Sequence, residues 1–280
     1  MAYKTILIHC TDKRRVPRLV GAAVELAERF QSHLIGLSVS PPVRVLPAGM
    51  PGTPDTLVID ERAQAYRRHN PEMKAAFEAA LQGRGITAEW CEEDAGNAAV
   101  VDVAARYASG ADLVVAAQRD PRWSESRWAD IGDRLAVEAG RPVLTVPNEG
   151  IHSQVGTTVV VAWDGRREAT RAAFDALPLL QRAEAIKVLS LDPPSEGEAP
   201  HDFAATHLSA ALAPHGVASE AVEGTGDGNI GRTLLNCAIE DRADLLVMGC
   251  YGHSRLRELV LGGATRYILT HMTIPVFMSH

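Results

Sequence analysis

No apolar run in this chain approaches the roughly 18 to 20 residues that a membrane-spanning helix needs, so a helical membrane protein is not expected. The opening MAYKTILIHC lacks the basic, apolar and small-residue order of a secretory leader, and the cytoplasm is the expected compartment. Cysteine is scarce. Cys10, Cys91, Cys237 and Cys250 lie in different segments without C-x-x-C spacing, which argues for free thiols rather than a zinc ribbon or disulfide framework. Adjacent His9 and Cys10 point to opposite faces of a strand, which sets aside joint metal ligation. An excess of basic charge is also missing. With a net charge of -7 and a pI near 5.8, the whole-molecule field attracts neither nucleic acid in general nor an anionic membrane. No Walker loop, G-x-S-x-G elbow, H-E-x-x-H or paired carboxylate motif occurs in a suitable context, so no catalytic residue or metal ligand is assigned.

What the chain does have is an ordinary globular composition, 46% hydrophobic and 22% charged, over 280 residues, enough for two domains with separate cores. Short apolar runs alternate with helical periodicity. KTILIH (4–9) reads as a strand, 17–30 as a helix with Leu19, Ala22, Ala23, Leu26 and Ala27 on one face, and HLIGLSV (33–39) as a strand. Residues 41–56 carry five prolines and two glycines and read as an exposed excursion, a surface loop rather than a lid. Helical periodicity resumes over 57–82, with a break expected at Pro71. A strand over 86–90, an acidic loop EEDAGN, a helix over 98–107 and strands over 112–116 and 142–146 follow.

The order then repeats. Residues 158–163 answer 5–10, a helix over 168–183 answers that over 17–30, 186–191 answers 34–39, and 217–222 answers 86–91. ADLLVMG answers ADLVVAA, and IPVFMS answers RPVLTV. Such ordered self-similarity is the mark of a duplication. The expected domains are 1–147, carrying an insertion at 41–70, and 158–280, joined by a linker at 148–157. Each is a doubly wound α/β unit with a parallel five-stranded sheet. Ligands of such sheets bind beyond the carboxyl ends of the strands, where strand order switches.

One stretch in the second copy stands out, DLLVMGCYGHSRLRELVLGGAT (244–265). A buried strand runs into a G-x2-G-x9-G pattern of Gly249, Gly252 and Gly262, with a helix expected over 254–261 and a stop at Gly262–Gly263. Glycines after a strand admit close backbone approach, and a following helix N-terminus favours an anion, phosphate above all. Such glycines also serve as plain turn punctuation. In the first copy Ala117 and Asp120 replace Gly249 and Gly252, and the carboxylate would repel phosphate. A separate G-x-G-x-x-G, Gly226-Gly228-Gly231, follows the third strand of its copy rather than the first. It is read as a turn and helix start with Asn229 as a cap, not as a dinucleotide fingerprint.

The glycine stretch resembles the signature of the universal stress protein family, whose ATP-binding members carry G-x2-G-x9-G-(S/T); here Gly263 stands at the Ser/Thr position and Thr265 follows two residues later. The resemblance covers both copies. It implies a Rossmann-like fold whose halves pair through their last strands as an intrachain pseudo-dimer, and a non-catalytic regulator binding ATP or AMP in the second copy. It further implies that Asp164 contacts the adenosine part, and that Met248 and Gly249 flank the nucleoside. Gly252 and His253 would then meet the phosphates, and Gly262, Gly263 and Thr265 the phosphate tail. An aspartate at position 164 is equally suited to holding the next turn or helix start. A protein partner of unspecified identity and a homodimer of the tandem chain are compatible with this reading. Its rivals are a slow ATP hydrolase and an interaction module with no nucleotide.

Overall fold

The computed structural model describes residues 2–41, 61–123, 129–152, 154–191, 204–251 and 263–280, with the backbone alone for 61–65. The first half runs β1 (Thr5–His9), α1 (Val16–Phe30), β2 (His33–Ser40), α2 (Glu61–Leu81), β3 (Ala88–Asp94), α3 (Val100–Ala108), β4 (Leu113–Ala117), α4 (Gly132–Glu138) and β5 (Val143–Val146). The second repeats it as β6 (Thr158–Ala162), α5 (Arg167–Asp175), α6 (Leu177–Leu180), β7 (Ala185–Leu191), α7 (Ala205–Leu212), β8 (Glu220–Gly224), α8 (Ile230–Glu240), β9 (Leu245–Gly249), α9 (Gly263–His271) and β10 (Val276–Ser279).

The strands form one ten-stranded sheet in the order β3-β2-β1-β4-β5-β10-β9-β6-β7-β8. Every pairing within a half is parallel, and the closing strands join the halves antiparallel, Val276 against Thr145 and Met278 against Val143. The two expected five-stranded sheets are therefore continuous, with a pseudo-twofold axis at the β5–β10 seam. Alternation places Ile6, Ile8, Val159 and Val161 in one core and Leu7 and Val160 in the other, so helices cover both faces. Asp112 accepts from Lys4 N and Thr5 N (2.8 and 3.0 Å), and Asp244 accepts from Gly156 N and Thr157 N, both at 2.9 Å. The same acid thus ties down the start of the first strand in each copy.

Several boundaries differ from those the periodicity predicts. Helix α2 continues through Pro71, because Tyr66, Met73 and Phe77 bury themselves along it and offset the lost backbone bond. The acidic Glu92, Glu93 and Asp94 belong to β3, where they pair with Ser38, Val39 and Ser40; β3 is an edge strand, and charge there blocks pairing with another chain. The helix expected over 168–183 divides at Ala176, with Pro178 opening α6. Gly263 lies in helix α9, so no helix stops at it. The proline-rich residues 42–56 and the helix expected over 254–261 lie outside the described residues.

Candidate functional site

In the second half the strand order switches between β6 and β9, because β6 pairs with both β7 and β9. Asp164, just beyond β6, has a side chain 56% exposed; its Oδ1 accepts from Arg166 N at 3.0 Å, and the Arg166 guanidinium lies 3.8 Å from Oδ2. The carboxylate folds back on its own turn while most of it stays open to solvent. Gly249, across the crevice at the end of β9, is required by packing. A Cβ there would lie 2.5 Å from Ala169 N and 2.8 Å from Glu168 Cβ, so only glycine lets the start of α5 come this close.

Glu168 is buried against that contact. Burial pushes its carboxyl up, but the 2.5 Å bond from Arg167 Nε, its own backbone N–H, and the charges of Arg167 and His280 outweigh this and hold it below the usual range. Met248 is buried in the face covered by α8 and α9, and Thr265 is buried in the first turn of α9. Gly263 is exposed, its φ is not left-handed, and a Cβ there would meet no atom within 4 Å among the described residues. Neither packing among the described residues nor backbone conformation therefore demands a glycine at 263. Gly252, His253 and Gly262 lie outside the described residues.

The equivalent crevice of the first half, between β1 and β4, is filled. Arg15 is buried, its Nη1 2.5 Å from Asp130 Oδ1 and its Nη2 3.8 Å from Asp120 Oδ2, and its guanidinium lies 4.5 Å from the centre of the Trp123 ring. Asp130 also accepts from Asp120 N at 2.8 Å. Asp120 does carry negative charge here, as its sequence position implied. What the sequence did not disclose is the cation beside it, Arg15, which occupies the crevice between the two carboxylates and Trp123. Asp12 is taken up by Arg14, whose backbone N donates to Oδ1 at 2.7 Å. Thr11 Oγ1 and His9 Nε2 are buried without a hydrogen-bond partner among the described residues. Burial alone takes His9 from its ordinary 6.5 to about 4, so its imidazole is neutral near pH 7.

The second glycine pattern is a structural turn. Gly228 has φ 87°, Asn229 caps α8 by accepting from Arg232 N at 3.1 Å, and a Cβ on Gly231 would lie 2.8 Å from Ala264 O and 2.9 Å from Tyr267 Cβ. Its third glycine thus serves the contact of α8 with α9. Among the described residues, no cluster of three or more His, Cys, Asp or Glu is placed to hold a metal, and no helix is long and apolar enough to cross a membrane.

Residues 2–147 and 157–280 each match the universal stress protein family. A universal stress protein of Synechocystis sp. is 27% identical over 152 residues, a match covering 51% of this chain and 48%, about half, of that relative. A solved universal stress protein from Archaeoglobus fulgidus superposes with a TM-score of 0.67 at 16% identity, covering 98% of this chain and 95% of its own. A putative universal stress protein from Pseudomonas aeruginosa gives 0.58 at 15% identity, covering 99% and 93%. At these identities the two superpositions speak for the fold alone.

Proposed function

Because the chain belongs to the universal stress protein family, with one copy in each half, we propose that it is a non-catalytic stress-response regulator of the cytoplasm that binds an adenine nucleotide, ATP or AMP, in its second half only. The observation that carries this reading is the contrast between the two crevices. The first is closed by Arg15, Asp120, Asp130 and Trp123, whereas the second presents a largely exposed Asp164 and a Gly263 that packs against nothing among the described residues. Asp164 receives a ribose hydroxyl, Met248 and Gly249 border the nucleoside, and Gly252, His253, Gly262, Gly263 and Thr265 border the phosphates. An anion bound at a helix N-terminus is favoured by the helix dipole and by N–H groups that have no intrahelical partner. Occupancy then biases the loops at that edge of the sheet and so alters the surface offered to a protein partner.

Fluorescence titration with a labelled AMP tests the assignment. Asp164→Ala removes a charge-assisted hydrogen bond and is expected to weaken binding about tenfold or more. Undiminished affinity in this variant would remove Asp164 from the site.

A further inference from the structure

The duplication makes a contact on one side of the pseudo-twofold axis predict its mate on the other. Aligning ADLVVAA with ADLLVMG pairs Arg119 with Tyr251, and aligning RPVLTV with IPVFMS pairs Asp133 with Arg266. The burial of α4 and α9 agrees, since Leu135 and Ala136 occupy the same core as their counterparts Ile268 and Leu269. On one side Tyr251 Oη donates to Asp133 Oδ2 at 2.8 Å, joining the halves. The mate of that hydrogen bond is a pair of arginines, Arg119 of the first half and Arg266 of the second.

Both arginines line one cavity of about 410 Å³ between the halves, and neither guanidinium has a hydrogen bond or ion pair among the described residues. Thr145 lines the same cavity. It is 1% exposed, and its Oγ1 has no partner among the described residues. The carboxylates on the wall are already engaged, Asp130 by Arg15 and Asp120 N, Asp133 by Tyr251 Oη and Arg134 N. What the cavity offers an anion is two exposed cations with no protein partner among the described residues, and a buried hydroxyl. Two like charges at one cavity repel unless an anion lies between them. Guanidinium donors suit a tetrahedral oxyanion, which can accept from several directions at once.

We propose that this inter-half cavity binds a phosphomonoester-class anion, its phosphate held by Arg119, Arg266 and Thr145. The cavity falls in the size range of small-molecule sites and so exceeds what phosphate alone would fill. Tyr251 and Tyr267 supply the wall against which the organic part lies. Gly263 also lines this cavity, so the site adjoins the phosphate end of the proposed nucleotide crevice, and what sets it apart is its use of Arg119 and Thr145 from the first half. It draws on both halves, so its ligand stabilises their mutual packing.

Inorganic phosphate is the probe, titrated into the 15N-labelled full chain at constant ionic strength while amide shifts are followed. Saturable shifts are expected at Arg119, Gly132 and Thr145, all in the half without the glycine stretch. Arg119→Gln, an exposed position that spares the fold, is expected to weaken phosphate about tenfold while leaving AMP affinity unchanged. Thr145→Val, of similar shape, is expected to weaken phosphate as well. Shifts that do not saturate, or equal phosphate affinity in the wild type and both variants, would overturn the proposal. Loss of AMP binding alone would touch only the nucleotide assignment.

Discussion

Tyr251 of the second half donates its phenolic hydrogen to Asp133 of the first at 2.8 Å, from a backbone held at φ 58°. A left-handed φ is costly for an aromatic residue, so the contacts of the side chain must hold it there. Burial, then the neighbouring Asp133, push the phenol well above its ordinary range, so it stays a hydrogen-bond donor. Tyr251→Phe should therefore destabilise the chain by about 1 to 2 kcal/mol. Urea unfolding checks this, and an unchanged midpoint would mean that the bond contributes nothing.

Arg15 and Asp130 form a buried pair 2.5 Å apart. Removing one partner strands the other charge, so Arg15→Met should cost about 3 to 5 kcal/mol, and Arg15→Met with Asp130→Leu should recover much of it. Denaturant unfolding of the single and double variants measures the difference. Neither is expected to create nucleotide binding in the first half, because Asp120 and Trp123 remain there.

Gly249 and Gly263 should respond in opposite ways. Alanine at 249 would press its Cβ to 2.5 Å from Ala169 N and force α5 away from β9, at about 1 to 3 kcal/mol. Alanine at 263 meets no atom within 4 Å among the described residues and should leave thermal stability intact while weakening the nucleotide. Melting curves of the two variants, read beside their AMP affinities, separate packing from binding.

His9 gives a pH dependence whose sign follows from its burial. Its folded value of about 4 lies below the ordinary 6.5, so between these values the unfolded chain takes up a proton that the folded chain refuses. Its stabilising effect is complete above pH 6.5 and is lost as pH falls toward 4, amounting to roughly 3 kcal/mol over the window. Unfolding free energies across this range should lose that slope in His9→Leu; an unaltered slope would show that other groups carry it.

Much of the fold was legible because each strand is a short apolar run and the two copies repeat one another in order. ADLVVAA and ADLLVMG even announce Asp112 and Asp244, which tie down equivalent strands. The site was legible only in part. Asp164 and Gly263 are named through the resemblance to the family motif, yet the packing reason for Gly249 is a helix that arrives from eighty residues earlier in the chain. Arg15 with Asp130, and Tyr251 with Asp133, lie more than a hundred positions apart and leave no local signature. Pro71 and the acidic end of β3 misled because tertiary packing and an edge position outweighed local preference.

If the two copies have diverged as proposed, the second alone takes a nucleotide. Calorimetric titration of the full chain with AMP and with ATP reads this as a stoichiometry. One nucleotide per chain, abolished or much weakened by Asp164→Ala and untouched by Asp12→Ala, is the predicted result; two per chain, or no binding of either nucleotide, would contradict it.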